Sequence, residues 1–177
     1  MTKKWVKSLS IPILLVLVVA LSGCCLFKGK GPTETVTAPT AVVEQEPSPD
    51  VMAEELAALL KEAQAEGALM PIYFDYDKSN LKSEAKKDLD KTAAWLSKKP
   101  TVNVRIEGNC DERGTNEYNM ALGDRRANSA KEYLVKLGVS ADRLETISLG
   151  EEKPLDSGHS EASWAKNRRD DFMPTSK

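Results

Sequence analysis

One histidine, three cysteines and 6% aromatic residues are all that 177 residues offer for metal, thiol or stacking chemistry. A lone His159 cannot build a histidine-rich metal centre. Three cysteines make neither a disulfide scaffold nor an all-cysteine zinc site, and no metal or cofactor is expected. Charge of one sign is lacking too. The 25 Lys and Arg stand against 27 Asp and Glu, for a net charge of −2, too balanced for a strongly basic nucleic-acid binder. No apolar run reaches twenty residues, which excludes a multipass membrane protein. The length suits one domain with a tail.

What is present begins with a basic start. Lys3, Lys4 and Lys7 precede an apolar run, Ile11 to Leu21, broken only by Pro12. As a helix this run spans about 16 Å, roughly half the hydrocarbon core of a bilayer. Followed by the small residues Ser22-Gly23, it reads as a secretory signal over residues 1–23. Leu21-Ser22-Gly23-Cys24 resembles a bacterial lipobox. That resemblance implies cleavage before Cys24, a diacylglycerol on its sulfur and an acyl chain on the new amino terminus. The thiol is required because a thiolate is the nucleophile that takes the lipid, and more than one chain gives stable anchoring. Position 25 is Cys rather than Asp, which implies sorting to the outer membrane, with the domain facing the periplasm.

Residues 24–49 carry the lipidated Cys24 and a linker with Pro32, Pro39, Pro47 and Pro49 and no periodicity. They read as an extended tether of up to about 75 Å. Residues 50–67 form an amphipathic helix and its stop. Met52, Leu56, Leu59, Leu60 and Ala63 lie on one face, Asp50 is a candidate N-cap, and Gly67 ends it. This helix either docks elsewhere or packs on the domain that follows.

From residue 70 the pattern alternates. Ile72 to Tyr76 read as a strand with Ile72, Phe74 and Tyr76 on one side, and residues 83–98 as a helix with Ala85, Leu89, Trp95 and Leu96 inward. Val102, Val104 and Ile106 mark a second strand that ends at Gly108. A helix spans residues 116–137 and stops at Gly138. A third strand covers 143–149, a short helix 161–167, and a poor strand 168–173. The order β-α-β-α-β-(β) predicts an α/β sandwich: a mixed sheet with helices packed on it over residues 70–177.

On the long helix, Asn119, Leu122, Arg126, Ala130, Tyr133 and Leu137 share one stripe. An arginine facing a sheet needs a partner. Either Arg126 makes an internal salt bridge with Asp75 or Asp111, or Asp111 and Arg126 face a shared cleft. The second arrangement is a two-pole receptor, with Asp111 for an ammonium and Arg126 for a carboxylate.

The stretch from Ile72 to Arg169 resembles the carboxy-terminal domain of the OmpA-like family. The residues that carry the resemblance are Tyr73-Phe74-Asp75-Tyr76-Asp77, Glu107-Gly108, Asp111-Glu112-Arg113-Gly114-Thr115, Glu117-Tyr118-Asn119, Leu122-Gly123-Asp124-Arg125-Arg126-Ala127, Gly138-Val139-Ser140, Gly150-Glu151-Glu152-Lys153-Pro154 and Lys166-Asn167-Arg168-Arg169. The resemblance implies non-covalent binding of peptidoglycan stem peptides through meso-diaminopimelate, with Asp111 and Arg126 making the recognition. Phe74, Asp75, Thr115, Asn119 and Leu122 would line or brace the pocket. It also implies the Tol system as partner, through its periplasmic β-propeller protein, and hence a part in envelope integrity and cell division. Two departures stand out. Asn109-Cys110 occupies a place where many members have a histidine and a small residue. After Arg169, Asp170-Asp171-Phe172-Met173-Pro174 alternates weakly, so a short or edge strand is expected there.

Other readings are a lipoprotein of this family outside the Tol system and, in a different class, a wall hydrolase. Asp75, Asp77, Asp111 and Glu112 could supply a carboxylate pair, and Cys110 with His159 a nucleophile and base. No spacing selects either, so an enzyme is not expected. The Arg125-Arg126 and Arg168-Arg169 pairs read as solvated or paired rather than as nucleic-acid contacts.

Overall fold

The structure, a computed structural model, describes residues 49–175. The expected signal segment, the lipidated Cys24, the tether up to residue 48 and the last two residues lie outside the described residues. No helix among those described is long and apolar enough to cross a membrane.

Helix α1 spans Pro49–Ala65. Pro49 sits in its first turn, where a missing N–H costs no helical bond. Asp50, expected as the cap, lies inside that turn instead, still placed to favour the helix dipole. The carboxy-terminal half of α1 packs on the body. Ala63 is buried, and Leu59 and Leu60 lie against the core. Lys99 pairs with Glu62 at 2.8 Å, and the Leu69 N–H donates to Thr92 Oγ1 at 3.0 Å just beyond the helix. Packing, not projection, is therefore the outcome for this half.

Strand β1 is Ile72–Tyr73, α2 is Ser83–Lys98, β2 is Asn103–Asn109, α3 is Asn116–Lys136, β3 is Leu144–Gly150, α4 is Glu161–Asn167 and β4 is Arg169–Thr175. The sheet order is β1-β4-β2-β3. Strands β2 and β3 run parallel, and β4 is antiparallel to both of its neighbours. Leu89, Trp95 and Leu96 of α2 and Ala127, Ala130 and Leu134 of α3 close over Val104, Ile106 and Phe172 as one core.

Three expectations change. First, β1 is shorter than residues 72–76. The chain turns after Phe74, with the Lys78 N–H bonded to the Asp75 carbonyl at 3.2 Å and Asp77 in the left-handed region at φ 54°. Tyr76 is therefore half exposed instead of joining Ile72 and Phe74 in the core. Second, β2 runs one residue past Gly108, and a register shift against β3 at Gly108/Asn109 redirects the chain into the loop that carries Asp111. Third, β4 is neither short nor an edge. It is seven residues long and interior. Two of its charged side chains find partners: Arg169 pairs with Asp171 at 2.9 Å, and Asn109 Nδ2 donates to Asp171 at 3.3 Å. Pro174 lies beyond the reach of β1, where only β2 flanks the strand, a position compatible with a missing N–H.

Helix α3 approaches β2 closely enough that neither contact residue can carry a Cβ. One built on Gly108 would meet the Gly123 carbonyl oxygen at 2.0 Å, and one on Gly123 would meet Ser148 Oγ at 2.3 Å. This glycine pair sets the depth of α3 and so the position of Arg126, one turn further on.

Candidate functional site

Thr115 caps α3 by accepting the Tyr118 N–H at 3.2 Å. Asn119 then reaches back to tie the loop down. Its Nδ2 donates to the carbonyls of Asp111 (3.2 Å) and Arg113 (3.3 Å) and to Glu151 Oε2 (2.5 Å). Loop and helix together enclose a cavity of about 150 Å³. Its walls include Asp111, Asn119, Leu122, Arg126 and Arg168, with Tyr76, Asp77, Arg113 and Tyr118 among the rest.

Arg126 forms the floor and is 0% exposed. Its Nε donates to the Lys78 carbonyl at 2.9 Å, its Nη1 to the Asn109 carbonyl at 2.8 Å and to Cys110 Sγ at 3.4 Å, and its Nη2 to the Asp75 carbonyl at 3.2 Å. The guanidinium lies 5.1 Å from the centre of the Phe74 ring. Every partner is electrically neutral. No salt bridge to Arg126 exists among the described residues: Asp75 pairs with Lys82 at 2.7 Å, and Asp111 pairs with Arg113 at 2.6 Å and Arg168 at 3.1 Å. The internal salt bridge that would have made Arg126 purely structural is therefore absent. Burial lowers the Arg126 pKa, yet a guanidinium remains charged.

The negative pole differs from the open receptor expected from the sequence. Asp111 is buried and already holds three hydrogen bonds, from the Arg113 N–H at 3.2 Å to Oδ1 and from Arg113 Nη2 and Arg168 Nη1 to Oδ2. Of roughly four lone-pair positions on a carboxylate, one on Oδ1 is left. Burial pushes its pKa up, but the bonds from Arg113 and Arg168 outweigh this and hold it below the usual carboxylate range. Three guanidiniums (Arg113, Arg126, Arg168) thus share the cavity with two carboxylates, Asp77 and Asp111. That balance favours a guest with an anionic end.

Exposed side chains form the mouth. The Tyr118 hydroxyl donates to Asp77 across it. Arg113 lies between two rings, 4.0 Å from the centre of Tyr76 and 4.1 Å from that of Trp164. Glu112 accepts from Trp164 Nε1 at 2.8 Å and contacts His159 Nδ1 at 2.7 Å, which holds its pKa down.

Of the residues singled out from the sequence, Asp111, Asn119, Leu122 and Arg126 come together on the cavity wall. Phe74 acts through its ring beneath Arg126 and through its carbonyl, which accepts Arg168 Nε at 3.2 Å. Asp75 contributes its carbonyl and not its side chain, and Thr115 caps the helix. Tyr76, Arg113, Tyr118 and Arg168 join the wall without being candidates from the sequence, and Asp77, a candidate only for a catalytic carboxylate pair, joins it too. Their common signal was lying in or beside the quoted motifs, but only the turn after β1 and the crossing of β4 bring them to one place. Cys110 makes a poor nucleophile: burial pushes its thiol up to about 11, and Sγ donates to the Asn119 carbonyl at 3.3 Å. Among the described residues no group of side chains could hold a metal ion.

The model of the OmpA family matches residues 73–168. A peptidoglycan-associated lipoprotein of Pasteurella multocida is 52% identical over 98 residues, 55% of this chain and 65% of that protein. One of Pseudomonas putida is 53% identical over 110 residues, 62% and 66% of the two chains. The matches span a little under two thirds of these relatives' own length. The crystal structure of the peptidoglycan-associated lipoprotein from Burkholderia pseudomallei superposes with a TM-score of 0.58 at 44% identity, covering 59% of this chain and 89% of that one. The OmpA-like domain of FopA1 from Francisella tularensis, at 21% identity and a TM-score of 0.51, shares the fold.

Proposed function

Because the chain belongs to the OmpA family, and because its cavity is floored by a buried arginine that has only neutral partners, we propose that it binds peptidoglycan non-covalently. The guest is the free end of a meso-diaminopimelate side chain in a stem peptide. Its carboxylate meets Arg126, and its ammonium takes the remaining acceptor of Asp111, with Asp77 near the mouth. A cavity of about 150 Å³ has room for one carbon bearing an ammonium and a carboxylate. Entry separates Tyr118 from Asp77. The buried, unpaired cation is the observation that carries this reading. A charge desolvated in advance, with its fork already oriented by three carbonyls, gains most from a ligand carboxylate.

In this reading the domain is a binding module and catalyses nothing. The relatives' name joins peptidoglycan to a lipoprotein, and the Leu21-Ser22-Gly23-Cys24 motif agrees with its second half. We extend the proposal to a lipid anchor at Cys24 in the outer membrane, with residues 24–48 as the tether. The linkage of membrane to wall is then mechanical, and many weak grips from one surface add by avidity. The Tol β-propeller protein as partner, and a role in cell division, rest on the family resemblance alone.

The test is co-sedimentation with two purified walls, one with diaminopimelate at the third stem position and one with lysine. Lysine lacks the terminal carboxylate. The protein should pellet with the first, stay largely soluble with the second, and release no muropeptides. Equal pelleting with both walls would refute the assignment of Arg126, and soluble fragments would favour a hydrolase.

A further inference from the structure

Behind the cavity lies a second acid that the proposed binding does not use. Asp170 is 0% exposed, and both of its carboxylate oxygens lack a hydrogen-bond partner. It pairs in register with Gly108 of β2 and Ile72 of β1. Gly108 touches Gly123 of α3, and Phe172, two residues along β4, belongs to the core between sheet and helices. The Asp170 side chain therefore faces α3. There the positive group acting on it is Arg126.

We propose that Asp170 is a positioning residue of the site: a carboxylic acid held neutral behind Arg126, so that the charge of the guanidinium is left for an anion entering the cavity. This rests on the function proposed above. An ionised carboxylate at this place would have no donor to solvate it, and a bare buried charge is strongly disfavoured. Burial outweighs the attraction of Arg126 and raises the Asp170 pKa well above the ordinary value. Were Asp170 ionised, its field would neutralise Arg126 from the protein side and weaken its hold on a ligand carboxylate. By linkage, an anion bound at Arg126 makes ionisation of Asp170 harder still.

The groups around it are few. Arg126 comes from α3 and Asp171 from β4 itself. Asp170 in turn bears on Cys110 in the loop after β2, which burial holds as a thiol. The register neighbours on β1 and β2, Ile72 and Gly108, do not titrate. Asp171 is committed to Arg169.

The experiment uses the full chain in detergent, with carboxyl carbons labelled for NMR, and a diaminopimelate-containing muropeptide as probe, from pH 5.5 to 9. The Asp170 carboxyl should be protonated at pH 7 without ligand. Asp170→Asn, a permanently neutral analogue, should bind within threefold of wild type wherever that carboxyl is protonated. Wherever it ionises, wild type should fall behind Asp170→Asn, by up to tenfold per pH unit. Asp170→Ala should follow Asp170→Asn, which guards against a folding defect in either variant. An ionised carboxyl at pH 7 overturns the inference, as does an affinity ratio that fails to track its ionisation, while the site reading survives. Failure of the wild-type chain to bind the muropeptide overturns the site reading, and this inference with it.

Discussion

Replacing Arg126 by lysine keeps the charge and removes the fork. In the native site four of the five N–H groups of the guanidinium are committed, to the carbonyls of Lys78, Asn109 and Asp75 and to Cys110 Sγ. One N–H on Nη2 is left for a guest. A lysine ammonium has three donors on a flexible stem and cannot reach carbonyls on both sides of the cavity while meeting a ligand. It therefore leaves at least one buried carbonyl unpaired, at a cost of about 1–3 kcal/mol. That is a sizeable part of a typical stability of about 5–15 kcal/mol, so folding must be verified by urea denaturation first. A hydrogen bond to a charged partner contributes about 1.5–3 kcal/mol, so its loss weakens binding by about ten- to 150-fold. The assay is isothermal titration with a diaminopimelate muropeptide. Arg125→Lys, one residue earlier on α3 and outside the cavity, is the control and should bind within twofold of wild type. A folded Arg126→Lys that binds within threefold of wild type would refute the claim that fork geometry, rather than charge alone, makes the site.

Asp111→Asn should weaken muropeptide binding by at least about tenfold, since the ammonium loses its charged acceptor. It should also destabilise the fold near neutral pH by stranding the guanidiniums of Arg113 and Arg168. The native pKa of Asp111 lies below its ordinary value of 3.8. The stability gap between wild type and variant should therefore be full above that value and close as pH falls through the lower native one, as followed by urea midpoints. Gly123→Ala forces a Cβ to 2.3 Å from Ser148 Oγ and 2.7 Å from the Gly108 carbonyl; overpacking of this kind costs about 1–3 kcal/mol. A lowered urea midpoint together with weaker binding is expected, and an unchanged midpoint would show that α3 has room to move. Tyr118→Phe removes the hydroxyl that meets Asp77 across the mouth. Stability should change by less than about 0.5 kcal/mol, as for an exposed position, while stopped-flow association becomes faster.

Much of this molecule could be read from local pattern. The helix over residues 83–98 and the long helix that stops before Gly138 follow from apolar spacing and their boundary residues, because helical bonds are local and a turn repeats every few residues. The stripe carrying Asn119, Leu122 and Arg126 is of the same kind, since helical spacing alone puts these residues on one face. The turn after β1 leaves no mark in the pattern, because Tyr76 continues an alternation that the backbone abandons at Phe74. The last strand alternates weakly because alternation marks a half-buried strand, whereas β4 is flanked on both sides at its start and carries charged residues inside, Arg169 and Asp171 paired with each other and Asp170 without a partner.

The sequence by itself determined the helices, the order of the elements and the place of Arg126 on the sheet-facing stripe of α3, since each is written in spacing along the chain, while Asp111 as its partner in the proposed grip follows from the family resemblance. Only the tertiary structure decided how the charges are shared. Which carboxylate answers which guanidinium depends on distances between segments far apart in sequence. Arg168 reaches Asp111 from the end of α4, and Arg126 is met by carbonyls from two other segments and by no carboxylate. Electrostatic pairing is set by proximity in space, and for Arg126 and Asp170 that proximity exists only once β4 lies between β1 and β2.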